Sequence, residues 1–106
     1  FKAMLQAIRR KHPEVPLVVL TPITSVKERQ EPAYAERSIH TRKVMREAAT
    51  GLIHAGDQRT FLVEGEDLLG FEEHNLLSRD GVHPAERGYK VIAAKLSPIL
   101  RKALGL

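Results

Sequence analysis

Asp80 and His83 are the residues whose types and spacing point to chemistry: a carboxylate and an imidazole three positions apart in Arg79-Asp80-Gly81-Val82-His83-Pro84-Ala85. A histidine that takes a proton from a nucleophile must keep one ring nitrogen free, which requires the other to be protonated and held by a hydrogen bond. A carboxylate does this best. Asp80 reaches the Nδ1 side of His83 if Gly81 and Val82 make a tight turn, and Gly81 has the backbone freedom for one. Pro84 suits the first position of a helix and disfavours helical geometry in the residue before it. The pattern predicts a general base at the mouth of a helix with an acid behind it. Two plainer roles compete: His83 as a polar helix-entry residue, and Asp80 as the helix cap. Pro84 places the cap nearer His83, which favours Asp80 as the group that orients the ring.

The run Asp80-Gly81-Val82-His83-Pro84, followed by Gly88-Tyr89 and the apolar Val91-Ile92-Ala93, resembles the last conserved block of the SGNH (GDSL-type) hydrolases. A strand ending at Thr21-Pro22 adds to the likeness. The resemblance implies His83 as base and Asp80 as its orienter in a Ser-His-Asp triad that attacks esters. That family's nucleophile lies in a Gly-Asp-Ser block near the N-terminus, with an oxyanion hole completed by a Gly and an Asn. None of these blocks occurs here, and the single asparagine, Asn75, precedes the acid and histidine. The expectation is therefore that residues 1–106 are the C-terminal portion of one such domain, with the serine upstream.

Elsewhere the chain offers little competing chemistry. Ser25, Ser38, Ser78 and Ser97 are the available hydroxyls, and none sits at a sharp strand-to-helix elbow. Ser78 lies too close in sequence to Asp80 to be placed against the far ring nitrogen. His12, His40, His54 and His74 read as solvent residues, and a metal site from His74, Asp80 and His83 lacks the spacing of zinc sites. No cofactor is expected. There are no cysteines, which excludes disulfides, thiolate metal sites and a cysteine nucleophile.

Hydrophobic residues make up 42% and charged residues 28%, an ordinary globular balance. No apolar run approaches the ~20 residues that span a bilayer. The net charge of +4 comes from basic residues scattered among acids, with few aromatics, so nucleic acid is not the expected partner. A small-molecule ester is. With an acceptor alcohol in place of water the same triad would be an acyltransferase, and the competing class is a non-catalytic α/β module whose basic faces bind an acidic partner.

The elements that must position the pair alternate. Phe1, Met4, Leu5 and Ile8 predict a helix ending near His12, and Pro16 to Thr21 a strand covered on both faces. Residues 23–32 carry no period and predict a long loop at the strand's carboxyl end, either shaping a substrate pocket or mobile in solvent. Ala33 to Ala55 predicts a helix burying Ile39, Met45, Ala48, Ala49, Leu52 and Ile53. Thr60 to Glu64 predicts a second strand, parallel to the first through a right-handed crossover. A last helix from Pro84 to Leu104 should bury Val91, Ile92, Leu96, Ile99 and Leu100 and kink or restart near Ser97, because Pro98 removes a hydrogen bond. The fold class is α/β, similar to the terminal part of a three-layer α/β/α sandwich with a parallel sheet, as in SGNH and flavodoxin-like folds.

Overall fold

A computed structural model describes residues 1–106. Helix α1 (Lys2–Lys11) leads to strand β1 (Leu17–Leu20), the short helix α2 (Lys27–Gln30) and the long helix α3 (Pro32–His54). Strand β2 (Thr60–Val63), helix α4 (Gly65–Leu68), a 3₁₀ segment (Phe71–Leu76) and helix α5 (Glu86–Ala103) complete the chain. The strands pair in parallel, Leu17 with Thr60 through Leu20 with Val63.

Alternation along the strands separates two apolar layers. Leu17, Val19 and Leu62 pack with Leu5 of α1 and with Met45, Ala48, Ala49 and Leu52 of α3. On the other side, Val91 and Ile92 of α5 pack against Leu69, Leu76 and Leu77, together with Ile23 and Val26. This is the expected sandwich, built on a narrow sheet. Its narrowness corrects one expectation: Leu20 is 37% exposed, so β1 is not covered on both faces. The Cα radius of gyration, 15.0 Å, exceeds the ~13 Å of a compact chain of this size.

The stripe on α3 is also shifted. Ile39 is 62% exposed and Ile53 37%, whereas Arg42 is 4% exposed. At 23 residues α3 is about 34 Å long, against about 13 Å for a four-residue strand, so its N-terminal part overhangs the sheet. In α5, Leu100 is 40% exposed and the helix continues through Pro98 without a restart. Only one backbone donor is missing there, and α5 keeps its apolar seam on both sides of it.

Residues 21–26 are packed, contrary to a solvent loop. Thr21, Thr24 and Ser25 are buried, and α2 follows directly. Arg42 holds both from α3. Its guanidinium donates to Pro22 O at 3.0 Å and Ile23 O at 2.9 Å, and forks onto Glu28 at 2.6 and 2.9 Å. The two side chains are 5% and 4% exposed.

Candidate active site

The acid and histidine lie on a turn closed at its neck. Leu77 and Pro84 form an isolated antiparallel bridge. Ser78 N–H donates to His83 O at 2.7 Å, and Ala85 N–H to Leu76 O at 2.8 Å. These bonds hold the chain extended at Pro84 and Ala85, so α5 begins at Glu86 and not at Pro84. Proline, with no N–H to donate, fits a bridge whose donors are Ser78 and Ala85. His83 thus precedes the helix, as expected, by a slightly longer approach.

Within the neck, Gly81 N–H closes a turn onto Ser78 O at 3.0 Å. Gly81 has φ +69, and a Cβ there would lie 2.9 Å from Val26 Cβ. The close approach is functional in the fold: Val26 N–H donates to Gly81 O at 2.8 Å, joining the β1–α2 stretch to the turn. We expect Gly81→Ala to lose about 1–2 kcal/mol of stability from left-handed strain alone, with further loss from the Val26 contact. Gly105→Ala, at φ +77 with nothing within 4 Å, supplies the control. Equal urea midpoints for the two variants would refute the role of Val26.

Asp80 uses both carboxylate oxygens. Oδ1 accepts from Val82 N–H and His83 N–H, each at 2.9 Å, and from Ser78 Oγ at 2.8 Å. Oδ2 meets His83 Nδ1 at 2.6 Å. With Oδ2 as acceptor, Nδ1 carries the proton of the neutral ring, and Nε2, which makes no hydrogen bond within the chain, then keeps its lone pair. The His83 side chain is 73% exposed. The imidazole first, and then the two amides and the Ser78 hydroxyl, hold the Asp80 carboxyl far below the usual carboxylate range. It stays ionised wherever the ring needs a partner. Asp80 does not cap α5, whose N-cap is Ala85.

Helix α5 is set close to this turn. A Cβ at Gly88, which is buried, would collide with the Leu76 carbonyl and meet Pro84. Only a residue without a side chain lets the helix lie against the neck of the turn.

Other predicted positions fall differently. His12, His40 and His54 are exposed, as read from the sequence. His74 is not a solvent residue: its Nε2 lies 2.9 Å from Thr24 Oγ1. Thr24 spends its one hydroxyl hydrogen on Leu69 O at 2.9 Å, so it accepts from His74 and fixes the Nε2–H tautomer. Burial, and then the charge of Arg29, lowers the His74 pKa against the opposing pull of Glu28. No cluster of His, Asp and Glu comes together as a metal site. Ser25 is buried with its hydroxyl unpaired, and Ser78 supports the acid. A cavity of about 390 Å³ between α2, α3, α4 and the 3₁₀ segment is lined by Glu28, Arg42, Arg46, Glu66, Ile39, Ala35 and Phe71. Neither Asp80 nor His83 lines it.

The role of Ser78 had a readable signal, a hydroxyl two residues before an aspartate at a turn. Arg42 had one too, since 42, 45, 49 and 52 follow the helical stripe.

A salicylyl-acyltransferase from a tetracycline biosynthetic pathway is 26% identical, with a TM-score of 0.73 over 99% of this chain and 31% of that one. A candidate GDSL-like lipase from Bacteroides ovatus is 19% identical, with a TM-score of 0.65 over 95% of this chain and 29% of its own, and shows the fold alone. The chain thus spans about a third of the length of the solved structures it matches. No curated protein matches it. A family model matches residues 1–101, and the chain belongs to the GDSL-like lipase/acylhydrolase family.

Proposed function

We propose that residues 1–106 are the C-terminal portion of a GDSL-type domain that cleaves small-molecule esters, with His83 as general base and Asp80 as its orienting acid. The serine nucleophile and the oxyanion donors come from a segment upstream. The observation that carries the reading is the 2.6 Å bond between Asp80 Oδ2 and His83 Nδ1, which leaves Nε2 free on a ring open to a partner.

In this mechanism the serine oxygen attacks the ester carbonyl while His83 Nε2 takes its proton. Collapse of the tetrahedral intermediate breaks the bond to the alcohol, which leaves with the proton returned by Nε2. Water then attacks the acyl-enzyme, again losing a proton to Nε2, and the acid departs as the serine is reprotonated. Asp80 remains ionised throughout and stabilises the imidazolium that forms in each half-reaction.

Asp80→Asn tests the assignment in the full-length protein. An amide oxygen can still accept from the backbone, but an amide nitrogen opposite Nδ1 imposes the wrong tautomer. Turnover should fall by about a hundredfold or more with little change in melting temperature. Unaltered turnover would refute Asp80 as orienter.

A second reading is acyl transfer to an acceptor alcohol in place of water. It is favoured by the 26% identity to a salicylyl-acyltransferase. Product partition between free acid and a new ester, measured with rising acceptor concentration, separates the two.

A further inference from the structure

We propose that Ser78 is a positioning residue for the imidazole: its hydroxyl, donated to Asp80 Oδ1 at 2.8 Å, fixes the plane of the carboxylate and keeps Oδ2 on His83 Nδ1. The catalytic consequence rests on His83 acting as base, whereas the geometric one does not.

Backbone donors reach only one oxygen of the Asp80 carboxylate. Val82 N–H and His83 N–H both reach Oδ1, and both come from the downstream side of Asp80. Two donors on one oxygen, arriving from one direction along the chain, hold that oxygen from one side only and leave the carboxylate free to rock about Cβ–Cγ away from them. Oδ2 is the atom that must not move, and its one partner is the exposed ring it is meant to hold. A mobile carboxylate and a mobile ring cannot fix each other. A third donor on Oδ1 from the upstream side supplies the missing constraint.

Ser78 is itself placed to do this. Its backbone is tied at both ends, N–H to His83 O at 2.7 Å and O to Gly81 N–H at 3.0 Å, so its side chain leaves a fixed point. A hydroxyl carries a single hydrogen, and here it goes to Asp80. Ser78 thus touches the acid and the backbone of the base, but not the atoms that react.

The test uses full-length protein with Ser78→Ala and Ser78→Thr, read in two ways. By ¹⁵N NMR of selectively labelled histidine, wild type and Ser78→Thr should show neutral His83 predominantly as the Nδ1–H tautomer. Ser78→Ala should shift a substantial fraction to Nε2–H. In ester turnover, Ser78→Ala should lower kcat about tenfold with KM unchanged, the size of one lost hydrogen bond to a charged group, and Ser78→Thr should restore most of it. Unchanged tautomer populations in Ser78→Ala would overturn the proposal, as would a loss that appears in KM alone or is not recovered by threonine. If wild type turns over no ester, the catalytic reading of the site fails, and the tautomer measurement still decides whether Ser78 positions the ring.

Discussion

His83→Ala is expected to lower ester turnover by the full-length protein at least about a thousandfold, the cost of losing a general base that serves both halves of the reaction. Its fold should be unaffected. The His83 side chain is 73% exposed and makes one side-chain hydrogen bond, to Asp80, so its removal opens no cavity. The backbone bonds of residue 83, N–H to Asp80 Oδ1 and O from Ser78 N–H, survive the substitution. Labelling of the serine by a phosphonate should slow in parallel, because the hydroxyl loses the group that takes its proton. An alanine variant that hydrolyses esters at a near-normal rate, with its melting temperature intact, would remove the basis for assigning the reaction to this site.

Arg42→Ala should have the largest effect on stability, about 3–5 kcal/mol, because it strands the buried Glu28 carboxylate. It also frees the carbonyls of Pro22 and Ile23. Domains are stable by about 5–15 kcal/mol in total, so a large part of the fold's margin is at risk. Lysine should not rescue it, since a point charge cannot fork onto a carboxylate and reach two carbonyls together. The effect carries a pH signature. Burial opposes ionisation of Glu28, but the hydrogen bonds from Arg42 and Ser25 N–H outweigh it and its pKa is lowered. A lowered folded-state pKa means the unfolded chain takes up the proton first. The pair's stabilisation is therefore present above the ordinary glutamate value of about 4.3 and is lost as pH falls through the folded value. Urea unfolding from pH 7 to pH 3 should show a steeper acid loss for wild type than for the double variant Arg42→Met, Glu28→Gln. Equal slopes, or a single-variant loss below about 1 kcal/mol, would contradict the account.

The parts of the molecule legible in the sequence were those decided by local rules. Asp80, Gly81, His83 and Pro84 each constrain the backbone within three residues, and the turn formed much as those constraints require. The two strands and the order strand, helix, strand followed from runs of β-branched residues and from the connection between them. Positions decided by neighbours distant in sequence were harder. Ile39 is apolar and in register with the stripe of α3, but it lies on the overhanging part of the helix where no strand covers it. Arg42, one turn on, shares the spacing of the stripe, but its partners, Glu28 and two carbonyls, fold back over it from another segment. His74 likewise reads as polar surface, and its partner Thr24 is fifty residues away. For Ile39 the missing information was how far along the helix the sheet reaches, and for Arg42 and His74 it was which distant segment folds against them.

The bridge between Leu77 and Pro84 has a consequence for when the site takes shape. Every hydrogen bond that closes the neck and aims the imidazole is made between residues no more than nine apart, so the acid, the base and their supports close as a low-contact-order knot. Loosening of the sheet or of α3 would carry that knot away whole, its internal aim preserved. Damage to the core and damage to the base should consequently leave different marks: the first displaces the pair from its target, and only the second scrambles the proton on its ring.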